Sequence, residues 1–124
     1  MGMRGELSIE LETKASDEVQ GCLQTVVLAG ELDLNTCGEL LGLVERLLTE
    51  GAREVLLDIG ALAFIDTTGL RAILTIRELC QSDGCDFGVT LGQGNARVQR
   101  VFKLTGLDNV FPFRPPGAGR RWQE

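Results

Sequence analysis

The chain has 124 residues, 44% hydrophobic and 24% charged, a composition that fits one folded domain and excludes extensive disorder. Its 18 acidic and 12 basic residues leave a net charge of −6, which disfavours a general nucleic-acid or anionic-membrane surface. No apolar run approaches the ~20 residues needed to cross a bilayer, and Met1 to Glu6 lead into no signal-peptide core, so a cytoplasmic protein without membrane insertion is expected.

Leu7-Ser8-Ile9-Glu10-Leu11-Glu12 alternates apolar and polar residues and predicts an edge strand with one buried face. A polar connection containing Ser16, Asp17 and Gly21 leads to a second strand, Cys22 to Ala29, at a spacing that suits a hairpin. Gly30 to Asn35 break this pattern. Thr36-Cys37-Gly38-Glu39 then has the Thr-x-x-Glu spacing of a capping box, predicting a helix whose core stripe is Leu40, Leu41, Val44, Leu47 and Leu48 and whose end is Gly51. An apolar strand over about 53–59 follows, and strand, helix, strand order implies a parallel pair, hence a mixed sheet. Gly60 to Phe64 read as a turn.

A second helix is expected from Thr67 or Thr68 to about Ser82, then a turn at Asp83-Gly84 and a strand from Asp86 to Leu91. Asn95 is placed to cap a third helix with Val98, Val101, Phe102 and Leu104 as candidates for its buried side and Gly106 as its end. Arg97, Arg100 and Lys103 make a basic stripe on it, read either as a solvated face or as a docking surface for an acidic partner. Leu107 to Phe113 read as a last short extended element anchored by aromatic rings. The proline- and glycine-rich stretch 114–124 reads as a flexible tail, leaving 1–113 as the domain.

The four cysteines form no Cys-x-x-Cys pair and the chain has no histidine, so reduced thiols are expected, without a zinc site or a histidine-activated nucleophile. An enzyme built on Asp58 or Asp66, or a nucleotide site at Thr67-Thr68-Gly69, lacks a Walker lysine or a metal-ligand cluster. The chemistry lies instead in Asp66-Thr67-Thr68-Gly69-Leu70, where two hydroxyls fall at the start of a helix. Unpaired N–H groups and the positive end of the macrodipole favour an anion there, such as a phosphoryl group on Thr68. The same residues also fit a plain N-cap, by Asp66 or Thr67, with Thr68 merely solvated. Thr68, Arg71, Thr75 and Glu78 share the exposed face, so Arg71 is either within reach of a phosphate on Thr68 or a solvated arginine.

Three separated segments together resemble one family. Gly30-Glu31-Leu32-Asp33 is similar to the Gly-Glu-Leu-Asp motif of STAS domains, and within them of bacterial anti-sigma factor antagonists. Val55-Leu56-Leu57-Asp58 with Phe64-Ile65-Asp66-Thr67-Thr68-Gly69-Leu70 resembles their phosphorylation segment, in which the residue before the glycine is modified. Arg100 to Asp108 with Phe111-Pro112 resembles their closing helix and strand, so the likeness runs from about Glu6 to Phe113.

The resemblance implies an α/β, STAS-like fold: a single mixed β-sheet of four to five strands with three or so helices packed mainly on one face. It implies an anti-sigma factor antagonist that binds an anti-sigma factor with serine/threonine kinase activity when unphosphorylated, releasing a sigma factor for transcription of a stress response. The kinase would switch it off by phosphorylating Thr68 (Thr67 is the lesser candidate), and a phosphatase would restore it. Asp33, Asp66, Thr67, Gly69, Arg71 and Thr75 are the implied partner-binding residues, with no catalysis, cofactor, metal or direct nucleic-acid contact by this chain. An alternative within the family is a non-phosphorylated subunit docking on a transporter or stress-sensing complex. Thr68 stands where many antagonists have serine, and the tail replaces the family's final helix.

Overall fold

The apolar run Val55-Leu56-Leu57 lies in the middle strand of a five-stranded sheet in a computed structural model of the chain, which describes residues 6–15, 22–91, 94–111 and 113–114. The strands are β1 (Leu7–Ala15), β2 (Cys22–Leu32), β3 (Glu54–Ile65), β4 (Asp86–Thr90) and β5 (Phe113–Arg114), in the spatial order β1-β2-β3-β4-β5. β1 and β2 form an antiparallel hairpin, whereas β2, β3, β4 and β5 pair in parallel. Each parallel step is bridged by one helix: α1 (Cys37–Thr49), α2 (Thr67–Ser82) and α3 (Ala96–Thr105).

Alternation along β3 decides which face is covered. Val55, Leu57 and Ile59 point into one core with Val26 and Leu28 of β2, Val44 of α1, Ile73 and Ile76 of α2, and Phe102 of α3. All three helices therefore pack on the same face, and the resulting single core is mixed α/β. Glu54, Leu56 and Asp58 point to the other face. Cys80 and Cys85 are buried free thiols; a hydrogen bond to Cys85, with burial adding to it, pushes the Cys80 thiol well up, so it stays protonated.

Several local readings need correction. β2 continues through the Gly-Glu-Leu segment to Leu32, and β3 runs through Gly60–Phe64 to Ile65. The glycines that looked like breaks sit at irregularities in pairing: the β2–β3 register shifts between Val27 and Ala29 and again between Gly30 and Glu31. Gly30 has φ +101, and a side chain there would meet the Glu6 carbonyl oxygen at 2.5 Å. Across from it, Asp58 Oδ1 accepts from Gly60 N at 2.9 Å, and β3 resumes pairing at Ala61 with Ala29.

The capping box does not form, because the Thr36 hydroxyl donates to Glu31 O at 2.8 Å and accepts from Asp33 N, leaving Thr36 without a side-chain bond to its helix. Leu104 is 79% exposed, not buried. Leu107–Asn109 form a 3-10 turn, and among the described residues of this stretch the strand is Phe113–Arg114. Arg114, expected to open the tail, belongs to β5: it bridges to Glu54 at 3.4 Å and donates to Phe87 O at 3.0 Å. The remainder of the expected tail, 115–124, lies outside the described residues.

Candidate functional site

The site is built where β2 and β3 end side by side. Leu32 pairs with Ile65, so Asp33 and Asp66 leave the sheet together at the carboxyl ends of neighbouring parallel strands, where ligands of α/β sheets commonly sit. Asp66 N also donates to Leu32 O at 3.3 Å, extending the pairing by one bond.

Asp66 is the N-cap of α2. Its backbone is extended, with φ −114 and ψ −173, and its carboxylate accepts from Gly69 N at 2.9 Å. This decides between Asp66 and Thr67 as the cap, and it places Thr67 and Thr68 as the first two residues of the helix. Their amides are first-turn donors with no intrahelical acceptor, while Asp66 has taken that of Gly69. Thr67 is exposed and Thr68 half-buried. Gly69 is buried against the end of β2: a Cβ there would lie 2.4 Å from Leu32 O and 2.9 Å from Ile65 Cγ1. The glycine thus lets the first turn of α2 sit directly on the β2 terminus.

That turn is tightly bonded. Asp33 is 8% exposed, and its Oδ1 accepts from Asn35 N at 2.9 Å and Thr36 N at 3.2 Å. Asp33 therefore shapes the turn, with little of its carboxylate turned outward. What the turn presents is Leu34, 72% exposed, and the neighbouring strand end presents Phe64, 49% exposed. Sequence reasoning missed both. Leu34 carried a readable signal, a leucine between Asp33 and Asn35 in a polar turn; Phe64 was hidden inside the supposed turn before Asp66.

Arg71 and Thr75 are exposed and follow Thr68 at spacings of three and four, so the three share one face of α2. The structure thus brings Asp66, Thr67, Thr68, Gly69, Arg71 and Thr75 together on the cap and first three turns of α2, with Asp33 tucked into the adjoining turn. Among the described residues there is no cluster of three or more metal-ligating side chains, and no helix is long and apolar enough to cross a membrane.

Such a hydroxyl-bearing helix start, set at the carboxyl ends of the inner strands of a mixed sheet with all its helices on one face, is the arrangement of a STAS fold. The family model described as Mlab, STAS domain, matches residues 17–114, and the chain belongs to this family. It is 28% identical over 105 residues to the anti-sigma-B factor antagonist of Staphylococcus aureus, covering 84% of this chain and 91% of that protein. Among solved structures, an anti-sigma factor antagonist from Mycobacterium paratuberculosis superposes with a TM-score of 0.67 at 23% identity, covering 90% of this chain and 87% of that one. The Bacillus cell fate determinant SpoIIAA in its phosphorylated form superposes with a TM-score of 0.59 at 18% identity, covering 86% and 91%. At these identities the structural matches establish the fold.

Proposed function

We propose that this chain is a cytoplasmic anti-sigma factor antagonist whose binding is switched by phosphorylation of Thr68. Unmodified, it binds an anti-sigma factor with serine/threonine kinase activity and so releases a sigma factor. The partner consumes the ATP; this chain works by binding and takes no cofactor. A phosphatase reverses the modification. Thr67 is the lesser acceptor, since the residue modified in this family stands before the glycine.

The observation that carries the reading is the position of Thr68: the second residue of α2, half-buried on a turn fixed by the Asp66 cap and the Gly69 contact, at the end of the sheet where the chain also exposes the apolar Leu34 and Phe64. Apolar side chains at these strand ends supply affinity, and a hydroxyl on the adjoining helix start supplies a place to cancel it. A phosphoryl group would add about −1.5 to −2 charges beside the Asp66 carboxylate, in an interface formed around a neutral hydroxyl. Like-charge repulsion and desolvation of a few kcal/mol would weaken the complex by about a hundredfold or more, with no rearrangement of the domain. Arg71, three residues on along the same exposed helix face, would reach the phosphate. A relative named as an anti-sigma-B factor antagonist and a SpoIIAA structure in a phosphorylated form support this reading.

The test combines site-resolved phosphopeptide mass spectrometry on protein from its own host with identification of what co-purifies. Phosphate on Thr68 and a bound ATP-binding anti-sigma kinase are expected, with Thr68→Ala holding that partner constitutively and Thr68→Glu holding it at least about a hundredfold more weakly. Equal binding by both variants would exclude the switch. An unmodified Thr68 with a transporter ATPase bound would assign the chain to a docking subunit instead.

A further inference from the structure

We propose that the outer face of α3 is a second docking surface, separate from the Thr68 site, for an acidic amphipathic segment of a partner protein. α3 reads ARVQRVFKLT, three cations and no acid, in a chain of net charge −6. Arg97, Arg100 and Leu104 follow at spacings of three and four and share a stripe, with Lys103 adjoining; all four are exposed. Arg97 to Lys103 span about 9 Å along the helix axis.

Only Lys103, in the last turn, suits the dipole of α3; the two arginines do little for the helix itself. Arg97 lies in the first turn, at the positive end of the macrodipole, where a cation is unfavourable. None of the three pairs with a described carboxylate, the one ion pair among the described residues being Arg114 to Glu54. Nor is the exposure of Leu104 the result of fraying. Asn95 accepts from Val98 N at 3.2 Å and donates to Leu62 O at 2.8 Å and Gly60 O at 3.1 Å, fastening the start of α3 to β3. Val98 and Phe102 are fully buried beneath, and Gly106, at φ 77, closes the helix. A leucine 79% exposed on so firmly mounted an element is held out toward solvent.

The side chains choose the occupant. Arginine and lysine over about 9 Å match carboxylates one to two helical turns apart, and Leu104 needs an apolar surface to cover it. A polyanionic backbone would leave that leucine bare and would meet the repulsion of the acidic remainder of the molecule. An amphipathic acidic segment supplies both kinds of contact.

The full-length protein, labelled with 15N, is titrated with a synthetic helical peptide of about 14 residues that carries glutamates and leucines on one face, with a scrambled peptide of the same composition, and with a short DNA duplex. Saturable shifts confined to 96–105 are expected for the amphipathic peptide only, with the amides of 66–70 unmoved. Arg100→Glu and Leu104→Ser should each weaken binding about tenfold; both positions are exposed, so each variant keeps the wild-type melting temperature. Absence of saturable binding, equal binding of the scrambled peptide, an unaffected Leu104→Ser variant, tighter binding of DNA, or shifts at 66–70 in place of α3 would each overturn the proposal. None of these outcomes bears on phosphorylation of Thr68.

Discussion

Gly69 shows how one atom's absence can shape the candidate site. A methyl group there would lie 2.4 Å from the carbonyl oxygen of Leu32, and that oxygen belongs to a sheet backbone that has no room to yield. Gly69→Ala should therefore destabilise the domain by about 1–3 kcal/mol despite alanine's better helix propensity. Urea or thermal unfolding checks the sign: a gain in stability would mean that the first turn of α2 is free to lift. The motif around Gly69 was legible in the sequence. Its packing reason was not, since it depends on β2 ending against α2, a long-range fact. Asp33 taught the same lesson: its place in the motif was readable, but its carboxylate turns inward on Asn35 and Thr36. Of the site, the residues of α2 were readable because Asp66 and the helical spacing are local signals; Leu34 and Phe64 escaped because exposure is set by neighbouring strands.

At the scale of elements, the helices were legible and the strand ends were not. α2 and α3 run close to where the periodicity and their caps put them, because both signals are carried within a few residues. β2 and β3 overran their expected ends since Gly30 and Gly60 mark shifts in pairing, and a glycine alone does not say whether a chain turns or bulges. Asn95 joins the two kinds of element. Its oxygen caps α3 while its amide nitrogen donates to two carbonyls of β3. Asn95→Ala should thus cost about 2–3 kcal/mol, more than the ~1 kcal/mol of an ordinary cap. Asn95→Asp separates the two roles: aspartate caps as well as asparagine, yet it sets a carboxylate against the oxygens of Gly60 and Leu62. If the strand contacts matter, the aspartate variant is no more stable than the alanine one. Full stability of Asn95→Asp in equilibrium unfolding would reduce Asn95 to a simple cap.

For the whole molecule, every helix lies on one face of the sheet, and the short β5 is secured from both. Phe113 does part of this on the helix side, its ring 5.4 Å from that of Phe102 in an edge-to-face contact. Arg114 does the rest. From β5 its guanidinium passes over Gly88 of β4, where a Cβ would collide with it at 2.5 Å, and reaches Glu54 of β3. One side chain thereby ties three parallel strands together. With 19% of the arginine side chain and 8% of the glutamate exposed, removing the cation leaves a buried carboxylate with less compensation. Arg114→Ala should lower stability by about 1–3 kcal/mol. Glu54→Gln in the same chain removes the charge that the first change left behind, so the double variant should recover part of that loss. A double-mutant cycle reads this as a coupling of about 1 kcal/mol or more. Strictly additive effects would mean that Arg114 acts through its packing over Gly88 and that the ion pair adds nothing to the clamp.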